Sequence, residues 1–114
     1  MPATPLKLEV FHILVALAEK ERHGYSLIQA VREHSDGAIR LRTGPLYRRL
    51  RQLLDSGLVE ESPDRPPSEH DDRRRRCYYR LSELGHRVVR RECLRLARLV
   101  SKTRRLGLIE SLDP

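Results

Sequence analysis

The segment from Arg40 to Arg51 constrains this chain most: it carries Arg40, Arg42, Arg48, Arg49 and Arg51 and no acidic residue. Beginning within this stretch and running past it, Leu46, Leu50, Leu53 and Leu54 recur at i, i+4, i+7 and i+8, the spacing of one apolar helix face. Thr43 supplies a cap, Pro45 is tolerated in a first turn, and Gly57 marks the far end. The leucines require a core to cover them. The opposite face then presents Gly44, Tyr47, Arg48, Arg51 and Asp55.

The neighbouring segments supply that core. Thr4 and Pro5 read as a cap and a first-turn proline, opening a helix that buries Val10, Phe11, Ile13, Leu14, Leu17 and Ala18 and ends near Glu21. A second helix is predicted from about Gly24 to Ser35, with Leu27, Ile28 and Val31 on one face and Asp36-Gly37 as its stop. Leu58 to Ser62 has the character of a short strand halted by Pro63. Cys77 to Leu81 forms its hairpin partner, across a charged loop that contains Pro66-Pro67 and the run Arg73 to Arg76. Tyr78 and Tyr79 alternate across that strand, so one faces the core and the other does not. Ser82 caps a long last helix, from about Glu83 to Leu106. In it Val89, Cys93, Leu96, Val100 and Thr103 repeat at four-three spacing, the pattern of a dimerisation seam.

Composition excludes several classes. At 114 residues, with 39% hydrophobic residues, the chain is one domain's worth of core. No apolar run approaches the roughly 20 residues that span a bilayer, and no secretory leader opens the chain, so a cytoplasmic protein is expected. Cys77 and Cys93 make no disulfide framework, and the five histidines show no metal-ligand spacing, so neither metal nor cofactor is expected. No nucleophile–base pair, paired carboxylate or phosphate-cradling glycine loop appears, and an enzyme is not expected. The net charge of +7 points to an anionic partner. Its placement says more than its size: residues 1–35 are neutral, while residues 82–114 carry eight cations against four acids.

Helix, helix, turn, cationic helix, then a hairpin with a basic tip is the order of a winged helix-turn-helix. The expected fold is therefore mainly α with a small β-hairpin, a winged unit over residues 1–82 followed by a dimerisation helix and tail over 83–114. A major groove admits one helix, and Arg suits both base edges and phosphates. The predicted DNA contacts are Tyr25, Arg42, Thr43, Gly44, Tyr47, Arg48 and Arg51, with Arg73, Arg74, Arg75, Arg76 and Tyr78 from the wing. Since winged helices also serve as RNA-binding or protein-interaction adaptors, the order of elements alone leaves that alternative open.

The residues carry a family likeness as well. Arg22-His23-Gly24-Tyr25, then Thr43-Gly44-Pro45-Leu46-Tyr47 with Leu50, Leu53 and Gly57-Leu58, then the basic run into Tyr78-Tyr79-Arg80-Leu81, resemble the PadR family of bacterial transcriptional regulators. The resemblance covers residues from about Leu8 to Val100. It implies a homodimeric repressor on an inverted-repeat operator in double-stranded DNA, dimerised through the last helix and open to a small-molecule effector. Two positions depart from many relatives: Pro45 stands where they have Thr, and Arg48 where they have Pro. The chain also lacks the tryptophans on which some drug-binding relatives stack aromatic ligands.

Overall fold

A computed structural model describes residues 5–62 and 77–110. The elements in chain order are α1 (Leu8–Glu19), β1 (Arg22–His23), α2 (Gly24–His34), α3 (Thr43–Asp55), β2 (Val59–Ser62), β3 (Tyr78–Leu81) and α4 (Glu83–Arg105). Ile13, Leu14 and Leu17 of α1 meet Leu27 and Val31 of α2, Leu46, Leu50 and Leu53 of α3, and Val88 and Val89 of α4 in one buried cluster. Leu58, Val59, Tyr79 and Leu81 close it from the sheet.

Helix ends follow local chemistry. Beyond α3, Gly57 adopts φ +79°, its N–H reaches the Leu54 carbonyl and the Leu58 N–H reaches that of Leu53. Leu53 and Leu58 are both buried, which completes the apolar contact of this type of stop. Helix α2 ends in the same way, with Asp36 in the left-handed region at φ +52°. Ser82 caps α4, its hydroxyl accepting from the Gly85 N–H at 2.9 Å.

Two features differ from the sequence reading. Helix α1 begins at Leu8, with Lys7 as an extended cap residue that makes no side-chain cap bond, so Pro5 lies outside it. The reason is a long-range contact: the Leu6 N–H donates to Glu92 on α4 at 2.8 Å and holds this segment extended. Second, the hairpin is a three-stranded antiparallel sheet in the order β1-β3-β2, with Arg22 opposite Tyr79 and His23 opposite Tyr78. Arg22 is fixed there because its guanidinium donates to the Ala16 carbonyl at the end of α1 and to Ser26 in α2, both at 3.0 Å, and pairs with Glu19.

Of the two tyrosines, Tyr79 faces the core and Tyr78 is half-buried. Burial pushes the Tyr79 phenol well above its ordinary value.

Glu92 is shielded from solvent by a thin cover, the Leu6 segment on one side and Arg95 on the other. Arg95 holds it bidentately, at 2.7 and 3.0 Å. That guanidinium, helped by the Leu6 N–H, outweighs desolvation and lowers the carboxyl below the usual 4.5. A depressed carboxyl stabilises the fold above its unfolded value and loses that contribution as pH falls through the native one. The midpoint of thermal unfolding should therefore drop as pH is taken below about 4.5. Glu92→Gln should lower it at neutral pH, by roughly 1 kcal/mol of stability, and flatten the acid limb; calorimetry across pH 3 to 7 checks both.

Candidate nucleic-acid interface

Burial of Leu46, Leu50 and Leu53 fixes which side of α3 faces out. Gly44, Arg48, Arg51 and Asp55, at intervals of four, three and four residues, form its outer row, and all four are exposed. Arg42 and Thr43, at the start of the helix, are exposed as well. Thr43 is the first helical residue, and Arg42 occupies the cap position without a side-chain cap bond. Arg49 lies on the shoulder, half-buried, and pairs with Glu9 of α1 at 3.5 Å.

Tyr47 corrects the sequence reading. It belongs to the shoulder of α3 rather than its outer row, because it directly follows buried Leu46 and lies between the leucine stripe and the arginines. Its half-buried ring packs against the start of α2, where a Cβ on Gly24 would lie 2.8 Å from the ring carbon that bears the hydroxyl. Tyr47 thus sets how closely α2 and α3 approach. Gly24 is the residue that permits it.

His23 joins the start of α2 to the sheet. Its Nδ1 accepts from the Ser26 N–H at 3.1 Å, which caps the helix. Its ring stacks on exposed Tyr25 at 6.5 Å and meets the edge of Tyr78 at 5.4 Å. The structure so brings Tyr25 and Tyr78 against one imidazole, at the root of the hairpin. Arg73, Arg74, Arg75 and Arg76 lie outside the described residues.

The predicted seam on α4 divides in two. Val89 is buried in its own chain's core, as is Val88, so a partner cannot reach either. Cys93 is exposed, and Leu96, Val100 and Thr103 are partly so. Leu94 and Leu99 also stand more than half exposed. The same face therefore serves the core up to Glu92 and is uncovered beyond it.

Sequence reasoning missed Arg22 and Glu92 as ties between elements. Glu92 could have been found, because a helical pitch places it among Gly85, Val88 and Val89 on the buried side. Among the described residues no group of three or more His, Cys, Asp or Glu could hold a metal. None of their helices is long and apolar enough to cross a membrane.

Three helices, a cationic outer row on the third and a small antiparallel sheet define the winged-helix DNA-binding fold. Comparison with known proteins agrees. The model of the transcriptional regulator PadR-like family matches residues 13–91. Among solved structures, a PadR family transcription regulator from Clostridium difficile R20291 is 22% identical, with 90% of this chain and 100% of that one covered at a TM-score of 0.69. RosR of H. salinarum is 29% identical, with 89% and 80% covered and a TM-score of 0.63. A transcriptional regulator from Clostridium thermocellum is 22% identical, with 83% and 84% covered at 0.64. No curated protein matches the chain. The chain belongs to the PadR-like family of transcriptional regulators, and no enzyme family is indicated.

His23 gives this site a direct test. Alanine there should cost about 1 kcal/mol through loss of the helix cap. His23→Asn, which restores a side-chain acceptor, should recover most of that in thermal unfolding.

Proposed function

We propose that the chain is a homodimeric, sequence-specific repressor that binds an inverted-repeat operator in double-stranded DNA, acts in the cytoplasm and is released by a small-molecule effector. The observation that carries it is the outer row of α3, with Arg48 and Arg51 exposed above a buried leucine stripe. Arginine forks read guanine edges in a major groove and clamp phosphates, and a helix backed by a core presents them rigidly. Arg42, Thr43 and Gly44 would lead into the groove and Tyr25 would flank it. Tyr78 would support the wing that carries Arg73 to Arg76.

The division of labour runs along the chain. Residues 1–82 would read DNA and residues 83–114 would join two copies. Support for the second part is the apolar surface of α4 past Glu92: Cys93, Leu96 and Val100 continue a face that no other described element covers. Two copies packed there would each set an α3 on one half-site of a palindrome.

An effector would sit beside α3. A groove of about 390 Å³ runs between the start of α1 and the segment before α3, lined by Leu8, Ile39, Leu41 and Pro45, by Arg40 and Arg42, and by Glu9, whose carboxylate is paired with Arg49. An organic anion held there would engage the same Arg42 that the operator needs.

Arg48→Ala and Arg51→Ala should each weaken operator binding and, where a phosphate contact is lost, flatten the dependence of log K on log salt by about 0.9. Helical circular dichroism should stay unchanged. Affinity at wild-type level in both variants would refute α3 as the reading helix. Leu96→Glu with Val100→Glu should yield a folded monomer in analytical ultracentrifugation, and a persistent dimer would place the interface elsewhere.

A further inference from the structure

The cations of α4 remain outside this reading. Helix α4 carries Arg87, Arg90, Arg91, Arg95, Arg98, Lys102, Arg104 and Arg105 against two acids, Glu83 and Glu92. Glu92 is buried and bound by Arg95, so from His86 to Arg105 the helix exposes no acid at all. All eight cations are exposed. Among the described residues only Arg95 of these eight has an ion pair.

Arg87, Arg91, Arg98, Lys102 and Arg105 fall at intervals of four, seven, four and three residues, which aligns them along one face. That row spans about 27 Å of helix. It lies on the side opposite Val89, Cys93, Leu96 and Val100, so dimerisation through that apolar face leaves it in solvent. It also belongs to a different part of the molecule from the α3 outer row. Helix α4 starts against the far end of α3, where Ser82 donates from its N–H to the Leu58 carbonyl at 3.0 Å and from its hydroxyl to the Gly57 carbonyl.

A helix face that is merely hydrated gains by alternating its charges, since like charges four residues apart repel. Here that repulsion is left uncompensated along five turns. Seven of the eight cations are arginines, whose planar forks match phosphate oxygens. A duplex offers one negative charge per roughly 1.7 Å of axis, carried on two strands that wind about it, so a cationic helix face laid along the duplex meets phosphates wherever a strand crosses it.

We propose that this arginine row is a second, sequence-independent binding surface for the sugar–phosphate backbone of double-stranded DNA, which lets one protein hold a further duplex segment while α3 occupies the first. Holding two duplexes rests on the reading above that α3 takes the first, whereas binding by the row itself does not, so loss of binding in the row variant and loss of binding in the α3 variants tell the two apart.

The test uses the full-length protein and 30-base-pair duplexes of random sequence, one set with a donor and one with an acceptor fluorophore. Wild type should bind these duplexes and bring donor and acceptor together. Arg87→Gln, Arg91→Gln, Arg98→Gln and Lys102→Gln combined should lose that energy transfer at least tenfold. The slope of log K against log salt should fall by about 3 to 4 in this variant, with unchanged helical circular dichroism. Arg98→Gln with Lys102→Gln, beyond the part of α4 that packs on the core, should give an intermediate loss without touching stability. Transfer and slope at wild-type level in the fourfold variant, or binding without transfer in wild type, would overturn the proposal. Row-dependent binding of poly-L-glutamate with no row-dependent binding of duplex would overturn it in favour of an acidic protein. An effect of Arg48→Ala and Arg51→Ala no different from wild type would count against α3 alone.

Discussion

The close approach of Gly85 to the Leu58 carbonyl is the constraint on which the rest of the molecule depends. A Cβ at this position would strike that carbonyl oxygen and lie 3.1 Å from its carbon and from a methyl of Leu81. The same carbonyl accepts from Ser82, whose hydroxyl caps α4 and also reaches Gly57. The end of α3, the start of β2 and the start of α4 are thereby locked at one corner. Because α3 ends there and α4 begins there, the direction of the helix with the cationic outer row and that of the long last helix are set together. Burial of Val88 and Val89 one turn further on secures the arrangement with apolar area.

At the other end of α3 the constraint is Tyr47 on Gly24. That contact, with the His23 cap and the Arg22 ties, joins α1, α2, α3 and β3 through neighbours in sequence. Arg22 to Tyr25 therefore serves structure before function: its arginine and histidine are consumed by internal hydrogen bonds, and only Tyr25 is left exposed. A cationic run is not uniform in meaning. Arg22 and Arg49 are tied inside the fold, whereas Arg48 and Arg51, close in sequence to Arg49, are not.

What could be read from the sequence followed from periodicity and from stop chemistry. The leucines of α3, the Ser82 cap and the Gly57 stop depend on residues within a few positions of one another, so their geometry is contained in their spacing. Contacts that close over long separations were not legible. Leu6 to Glu92 spans 86 positions and moved the start of α1, and the pairing of Arg22 with Tyr79 added a strand too short to show any alternation. Tyr47 was misplaced for a different reason: a shoulder position is compatible with either face, and only the depth of the neighbouring helix decides it. The split of the seam at Glu92 was hidden in the same way, because one apolar repeat serves two partners in succession.

The charge of the chain acquires its meaning from these placements. On α3 the arginines stand one helix diameter from the leucines that hold them, near enough to the core to be rigid, which is what base reading demands. On α4 they stand on a helix whose second half extends beyond the core, and the row is longer. Rigid and short suits discrimination between bases, for which an ångström matters. Long and regular suits a backbone whose charge repeats without regard to sequence. The same residue type would thus support two kinds of recognition, and what separates them is the packing behind each helix.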